Sequence, residues 1–528
     1  CILTSEFSEK TGKIASASSC VRGLPPRLPC LANNANMNPT EILYNGALAV
    51  VVVALFYSIA VFVVRKWRLR AFPGPFAIPI VGNLWDPEAP KVIAYLRKQS
   101  KIHGKMFAFW PGMNPYLVVS DKSAVREILS DIKVFVKGSD YTEKFGVAFG
   151  EGLVTSNGET HKADRACLGK YFIKNSIDAQ LSMFCKETVR MMNESIEPHL
   201  GENRDVQHFF HMLSLRVFGR LSMSVDYGAP ENVKLAEEIN EGVKFGSNVI
   251  GESIVLNIPM SPLLPKVRKL KKVVKFVHDH MDDVISNRLE AMHKGLDTPD
   301  DVLAAMLADA QPRQKMHDQL LTLLSAGHDT TAFFGCYMAF LLAENPRVQD
   351  KVKAEVRRVL GGRTEITPDD VSELKYCRMV MQETLRLYTV IPFVNRTAVQ
   401  DHTLKESKVT IPKGTVVFVP LCIMTRDPDE WEEPNAFKPE RFEALPSHSS
   451  AKHGYLPFGY GSRTCIGNTL ALSEGTVMIA LLMQRYRLFP VPGFKPAVIP
   501  GISLVSKNGV RVRVEADTSG VVTSSGQP

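Results

Sequence analysis

Residues 458–467 read FGYGSRTCIG, with one cysteine, three glycines and one arginine in ten positions. A cysteine that ligates a metal must be a thiolate, and nearby backbone N–H groups stabilise that charge and tune the metal. Gly461 and Gly467 have no side chain, so the backbone can fold tightly around the Cys465 sulfur and lie flat against a planar group. Arg463, two positions before the sulfur, is placed to pair with a carboxylate on such a group. A structural cysteine buried in a glycine loop would require neither the cation nor this spacing.

The pattern Phe458-x-x-Gly461-x-Arg463-x-Cys465-x-Gly467 resembles, at every defining position, the haem-binding loop of the cytochrome P-450 (haem-thiolate) superfamily. The resemblance implies haem b (iron protoporphyrin IX) with Cys465 as axial iron ligand and Phe458, Gly461, Arg463 and Gly467 around it. A thiolate ligand pushes electron density through the iron and favours O–O cleavage. The implied fold is mainly α with a small β part, a single large haem-thiolate unit.

Three further motifs follow in the family's order. ETLR (383–386) places Glu383 and Arg386 on one helical face. With PERF (439–442) it implies a buried structural cluster of Glu383, Arg386 and Arg441. AGHDTT (326–331) lies in a helical run from about 312 to 344. There Gly327 weakens the helix, and the Thr330 hydroxyl can turn to a backbone carbonyl, which predicts a local distortion. By resemblance, Asp329 and Thr330 relay protons to bound oxygen, Ala326 and Gly327 leave room over the haem, and His328 is a packing residue. In GETHKADR (158–165), His161 and Arg165 share a helix face. Many membrane-bound relatives have tryptophan where this chain has His161. With Arg396 and Arg463, these two residues are the expected partners of the haem propionates.

Outside the motifs, residues from about 90 to 395 follow mostly helical periodicity, with Asn345 and Pro346 as an N-cap and first-turn pair. Strand-like runs occur at 115–120, 414–420 and 510–516, with a short one in KVTI, and no repeat or internal linker interrupts 76–515. The apolar run 246–265 has breakers at both ends and is followed by six cations between 266 and 275. It reads as a loop that is either buried or a second membrane contact.

Residues 42–64 carry no charge, and 23 helical residues span about 34 Å, enough for a bilayer core. RKWRLR (65–70) follows, as expected on the cytosolic side. These features predict a leader at 1–36, a short lumenal segment at 37–41, a transmembrane anchor at 42–64, and a basic, proline-rich linker at 65–75. The haem-thiolate domain follows at 76–515 and a loose tail at 516–528. Met37 reads as the natural start.

The whole chain has 528 residues, 45% hydrophobic and 22% charged, which is ordinary globular composition. A net charge of +8 is spread along the sequence without a nucleic-acid-binding signature, so no nucleic-acid partner is expected. Nine cysteines without a Cys-x-x-Cys argue against a disulfide framework.

The resemblance implies a monooxygenase using O2, with electrons from NADPH through a separate diflavin reductase, since the chain has no flavin or nicotinamide motif. Membrane lipids and a small lipophilic substrate, guessed as a sterol or fatty acid, complete the expected partners. Phe145, Phe149, Val390, Ile391 and Ile502 are the expected substrate-lining residues. The expected location is the endoplasmic reticulum membrane, single-pass, with the catalytic domain facing the cytosol. Two alternatives stay open on the same fold: an oxygen-independent isomerase or dehydratase, and a haem-binding protein without turnover.

Overall fold

The computed structural model describes residues 39–443 and 453–517. The leader at 1–36 and most of the tail at 516–528 lie outside the described residues. The chain forms two units, divided between Tyr57 and Ser58.

In the first unit the described residues belong to helix α1 (Pro39–Arg68), with apolar side chains such as Leu43, Val50 and Phe56 exposed. Leu43–Arg68 is, among the described residues, the one helix long and apolar enough to cross a membrane.

In the second unit, the end of α1 and the residues after it are packed in place. Phe62 packs against Trp110 with ring centroids 4.7 Å apart and the planes tilted by 49°, and Leu69 and Phe72 are buried. Arg65 Nη1 donates to the Met113 carbonyl at 3.1 Å, and the Arg68 guanidinium donates to the Lys413 carbonyl. Residues 65–72 thus form a helix end and turn held by apolar burial.

The helices that build the site follow. They are α2 (Ser139–Phe149), α3 (Gly158–Gly169), α4 (Gln207–Met223), α5 (Val233–Leu256), α6 (Pro265–His293), α7 (Arg313–Glu344), α8 (Lys375–Leu387) and α9 (Asn468–Arg485). The central α7 is buried along most of its length, and its exposed window lies at Ser325–Gly327 and Thr330. The apolar sides of α4, α7 and α9 share one core. After α7, Pro346 opens the next helix and Asn345 takes the N-cap position as expected, but its side chain makes no capping bond. Its amide donates back to the Leu341 carbonyl at 2.7 Å.

The run from residue 246 is not a loop at its start. Residues 246–256 are the largely buried C-terminal half of α5, which ends at Asn257 in the left-handed conformation (φ 52°). Its end is tied down at two points, and the two residues that hold it are bonded to each other. Tyr116 Oη donates to the Ile254 carbonyl at 2.9 Å, while Lys144 Nζ donates to Asn257 Oδ1 at 2.7 Å and to Tyr116 Oη at 3.0 Å. Ile258, Leu263 and Leu264, beyond the helix, are the exposed apolar residues of this stretch.

The main sheet contains β1 (Met106–Phe109), β2 (Tyr116–Val119), β3 (Phe135–Val136), β4 (Val394–Ala398) and β5 (Val416–Val419), in the order β1-β2-β5-β4-β3. Strands β2 and β5 are parallel, and the other pairs are antiparallel. Arg396 sits opposite Val417 in that register. A two-stranded hairpin, β6 (Val498–Pro500) with β7 (Leu504–Ser506), brings its turn at 501–503 against α5.

Candidate active site

The Cys465 loop is built by local hydrogen bonds. Gly461 begins a short 3-10 turn at φ 73°, the left-handed region that glycine tolerates, with its α-carbon against the Leu129 carbonyl. Thr464 Oγ1 donates to the Gly461 carbonyl at 2.7 Å, and the Cys465 N–H donates to the Phe458 carbonyl at 2.8 Å. The sulfur is accessible, yet it opens to an internal cavity and not to bulk water. Burial pushes the thiol up, while the Gly467 N–H and the Arg165 charge pull it back toward thiolate.

The cavity measures about 360 Å³ and is lined mainly by apolar side chains. Around it the fold gathers most of the residues predicted from sequence. Phe145 and Phe149 come from α2, His161 and Arg165 from α3, and Ala326, Gly327, Asp329 and Thr330 from α7. Val390 and Ile391 follow α8, Arg396 comes from β4, and Ile502 from the β6–β7 turn. Phe458, Arg463, Cys465 and Gly467 complete the group, whereas Gly461 packs behind it.

In α7 the Thr330 hydroxyl donates to the Ala326 carbonyl at 2.6 Å, and the helix nonetheless runs unbroken. A side chain at Gly327 would meet the Phe218 ring of α4 at 2.5 Å, so that glycine serves helix packing, and Ala326 is the more open face. His328 is fully buried, and burial with the neighbouring His211 pushes it down to about 3, so its ring is neutral.

One side of the cavity is crowded with positive charge. Arg396 Nη1 donates to the Asn395 carbonyl at 2.8 Å, and Arg463 Nη2 donates to the Ser156 carbonyl at 2.7 Å and to Asn157 Oδ1 at 3.1 Å. All these partners are uncharged. Burial first, then the neighbouring Arg396, lowers Arg463 to about 10. Lys137 falls well below the usual lysine range, from burial and from Arg396 and Arg463. Its ammonium rests 3.6 Å from the centre of the Tyr141 ring. His161 is lowered to about 4 by burial and then by Arg463 and Arg165. Four cations sharing one low-dielectric wall fit a ligand with at least two anionic groups, as the two propionates of a haem would provide.

A second charged cluster lies outside the cavity lining. Glu383 and Arg386 are fully buried on α8. Arg386 donates from Nε and Nη2 to both Glu383 oxygens at 2.7 and 2.8 Å, and its remaining donors reach the carbonyls of Thr425, Pro434 and Ala436. Arg441 Nε donates to Glu383 Oε1 at 3.1 Å, and the Lys438 N–H donates there at 2.9 Å. All five N–H donors of Arg386 are therefore used.

Five residues of this site had no sequence signal. Lys137 and Tyr141 line the cavity beside the cations, and Ser247, Ser503 and His211 surround Asp329. Ser247 Oγ donates to Asp329 Oδ2 at 3.2 Å, Ser503 Oγ donates to the same oxygen, and His211 Nε2 stands 3.5 Å from Oδ1. His211 first, and then Ser503, hold Asp329 below the usual carboxylate range although burial raises it.

The family model described as Cytochrome P450 matches residues 72–510. The chain is similar to Cytochrome P450 4A2 of Rattus norvegicus, 28% identical over 492 residues, which cover 87% of this chain and 94% of that protein. It is also similar to Protein LUTEIN DEFICIENT 5, chloroplastic, of Arabidopsis thaliana, at 28% over 79% of this chain and 73% of that one. A cytokinin hydroxylase of the same plant is 26% identical, with 80% and 83% covered.

Proposed function

The chain belongs to the cytochrome P450 family and is a haem-thiolate monooxygenase, and from that premise we propose how its own residues divide the work. Cys465 would hold the iron of a haem b through its thiolate sulfur, with Phe458, Gly461 and Gly467 shaping the loop around it. Lys137, Arg165, Arg396 and Arg463, with His161 as a weaker donor, hold the propionates. When bound, the haem supplies O2 activation.

The protein's part is to orient, to exclude water and to move protons. Ala326 leaves space on the α7 side of the chamber, and Thr330 presents its hydroxyl there, backed by the Asp329 carboxylate. A hydroxyl beside a carboxylate can anchor the water chain that brings protons to the reacting oxygen. Phe145, Phe149, Val390, Ile391 and Ile502 form an apolar wall that favours a lipophilic substrate, with a sterol or fatty acid as the working class. Glu383, Arg386 and Arg441 hold the scaffold. Electrons come from NADPH through a separate diflavin reductase. The chain sits in the endoplasmic reticulum membrane by a single span at 42–64, with the catalytic body in the cytosol.

One observation carries this reading. A single cavity holds the Cys465 sulfur, the Arg396 and Arg463 guanidinium groups, which bond only to neutral partners, and the Thr330 hydroxyl. The reduced protein with carbon monoxide should show the red-shifted Soret band of thiolate ligation, and Cys465→His should abolish it while haem stays bound. A surviving band would give the ligand to another residue. Thr330→Ala, reconstituted with the reductase, should keep most of its NADPH consumption but send far more of it to hydrogen peroxide. Positioned proton transfer is typically worth about 10²–10⁴-fold, and waters recover part of that. Unchanged peroxide yield would remove Thr330 from the mechanism.

A further inference from the structure

Outside the cavity lining, His211 of α4 faces Asp329 of α7. Both side chains are buried, His211 at 0% and Asp329 at 4% exposure. His211 Nε2 and Asp329 Oδ1 are 3.5 Å apart, and neither atom has a hydrogen-bonding partner of its own. The other ring nitrogen, Nδ1, lies 2.8 Å from the Gln207 carbonyl. A carbonyl oxygen only accepts, so Nδ1 carries a proton.

That assignment fixes the chemistry of the gap. A neutral His211 with its proton on Nδ1 would point the Nε2 lone pair at a carboxylate oxygen. Two acceptors would then face each other in a buried site, a costly arrangement. A second proton between Nε2 and Oδ1 removes the conflict, whichever atom holds it more closely. The imidazole plane is also fixed, by the Phe333 ring standing at 90° to it with centroids 4.9 Å apart.

We propose that His211 is a positioning residue for proton delivery: it shares one proton with Asp329, gives it up when Asp329 donates toward the chamber, and takes one proton back through Asp329 when the cycle ends. The proposal rests on the reading of Asp329 and Thr330 given above. The step balances without any redox partner. The Nε2–H bond breaks as an Oδ1–H bond forms, leaving a neutral imidazole that keeps its Nδ1–H on Gln207. Asp329 then releases that proton to a water beside Thr330, and the pair, neutral overall before the step, is left with one negative charge. Uptake of one proton at Nε2 restores it.

The charged and titratable neighbours are few. From α7 they are Asp329 and the neutral His328, whose ring lies 5.3 Å from that of His211. Lys244 of α5 acts on His328 across the core. Glu474 of α9 bonds to Ser214, one turn along α4 from His211, and burial pushes it up to about 8, which favours its neutral form at physiological pH. Asp329 is therefore the one anion among these neighbours in direct reach of His211.

The test uses the haem-loaded full chain and reads two signals. The first is infrared: His211→Phe leaves Asp329 without the shared proton, so the carboxyl should become protonated and a carboxylic acid C=O band should appear that Asp329→Asn removes. No such band in His211→Phe overturns the proposal. The second is the fraction of NADPH electrons released as hydrogen peroxide in substrate-free turnover with the reductase. His211→Gln keeps a hydrogen bond to Oδ1 but cannot carry the proton. It should raise the ratio of peroxide to water about tenfold, less than the ~10² typical of losing a positioned acid–base group, and lowering the pH should restore the wild-type ratio. If Asp329→Asn and Thr330→Ala raise peroxide while His211→Gln does not, this proposal fails alone. If none of the three changes the ratio, the reading of Asp329 and Thr330 fails with it.

Discussion

The cluster around Glu383 and the cluster around Arg396 bury the same residue type in opposite ways. Around Glu383, two arginines converge on one carboxylate, and the remaining donors of Arg386 end on backbone carbonyls. Around Arg396, three more cations share a wall, and the contacts of Arg396 and Arg463 are with neutral groups. Buried charge satisfied from within the chain is scaffolding. Buried charge left in excess, lowered by burial first and at Lys137 and Arg463 by mutual repulsion as well, is half of a site whose other half arrives with a ligand.

The sharpest way to break this contrast is Glu383→Gln. It strands two buried guanidinium groups, and removing one partner of a buried pair typically costs about 3–5 kcal/mol. Urea unfolding should show a midpoint far below wild type with an unchanged slope. A midpoint within error would mean that the cluster is not compensated through Glu383.

Arg396→Leu should act with mixed sign. In the haem-loaded protein it removes a charge-assisted contact worth about 1.5–3 kcal/mol, so haem should pass to an acceptor protein about 10–100 times faster. In the haem-free protein it relieves repulsion, so the unfolding midpoint should stay or rise. A fall in both states would make Arg396 scaffolding like Arg386. Lys137→Met should repeat the pattern more weakly, with haem loss at most about tenfold faster, consistent with a contact of roughly 1 kcal/mol.

The smallest effect is pH-dependent. The folded haem-free protein holds His161 at about 4, below its ordinary 6.5. Between those values the unfolded chain binds a proton that the folded chain does not, so stability should fall as pH drops from 6.5 to 4. His161→Gln should lose that part of the slope. Haem should shrink it in the wild type, because propionate charge favours the protonated ring. An identical slope with and without haem would place His161 away from the propionates.

What could be read in advance was local in the chain. The cysteine loop is a ten-residue turn, and Glu383 and Arg386 are one helical turn apart, so pattern alone reaches them. Lys137, Ser247, Ser503 and His211 are common residues in unremarkable surroundings. They acquire meaning only when β3, α4, α5 and the β6–β7 turn meet at α7, and no spacing in the sequence encodes that meeting. The misread loop at 246–256 has a related cause. Gly251 looks like a helix breaker, but it sits inside α5 because the Gly501 backbone approaches so closely that no side chain fits. Its reason lies 250 positions away in the chain.

Ser247, on the same α5 segment, bonds to Asp329 from a helix whose end lies over the chamber wall. A molecule that entered by lifting the end of α5 would break the Tyr116–Ile254 and Lys144–Asn257 bonds and, if the helix moved as one rod, would also pull Ser247 from Asp329. While that door stands open, Asp329 lacks one of its supports. The two states then behave like an interlock on a machine: the chamber can load or it can fire, and electrons arriving during loading find the proton line only partly assembled. Product yield per electron would in that case depend on how quickly α5 settles back, a clock set by three hydrogen bonds and not by the chemistry at the sulfur.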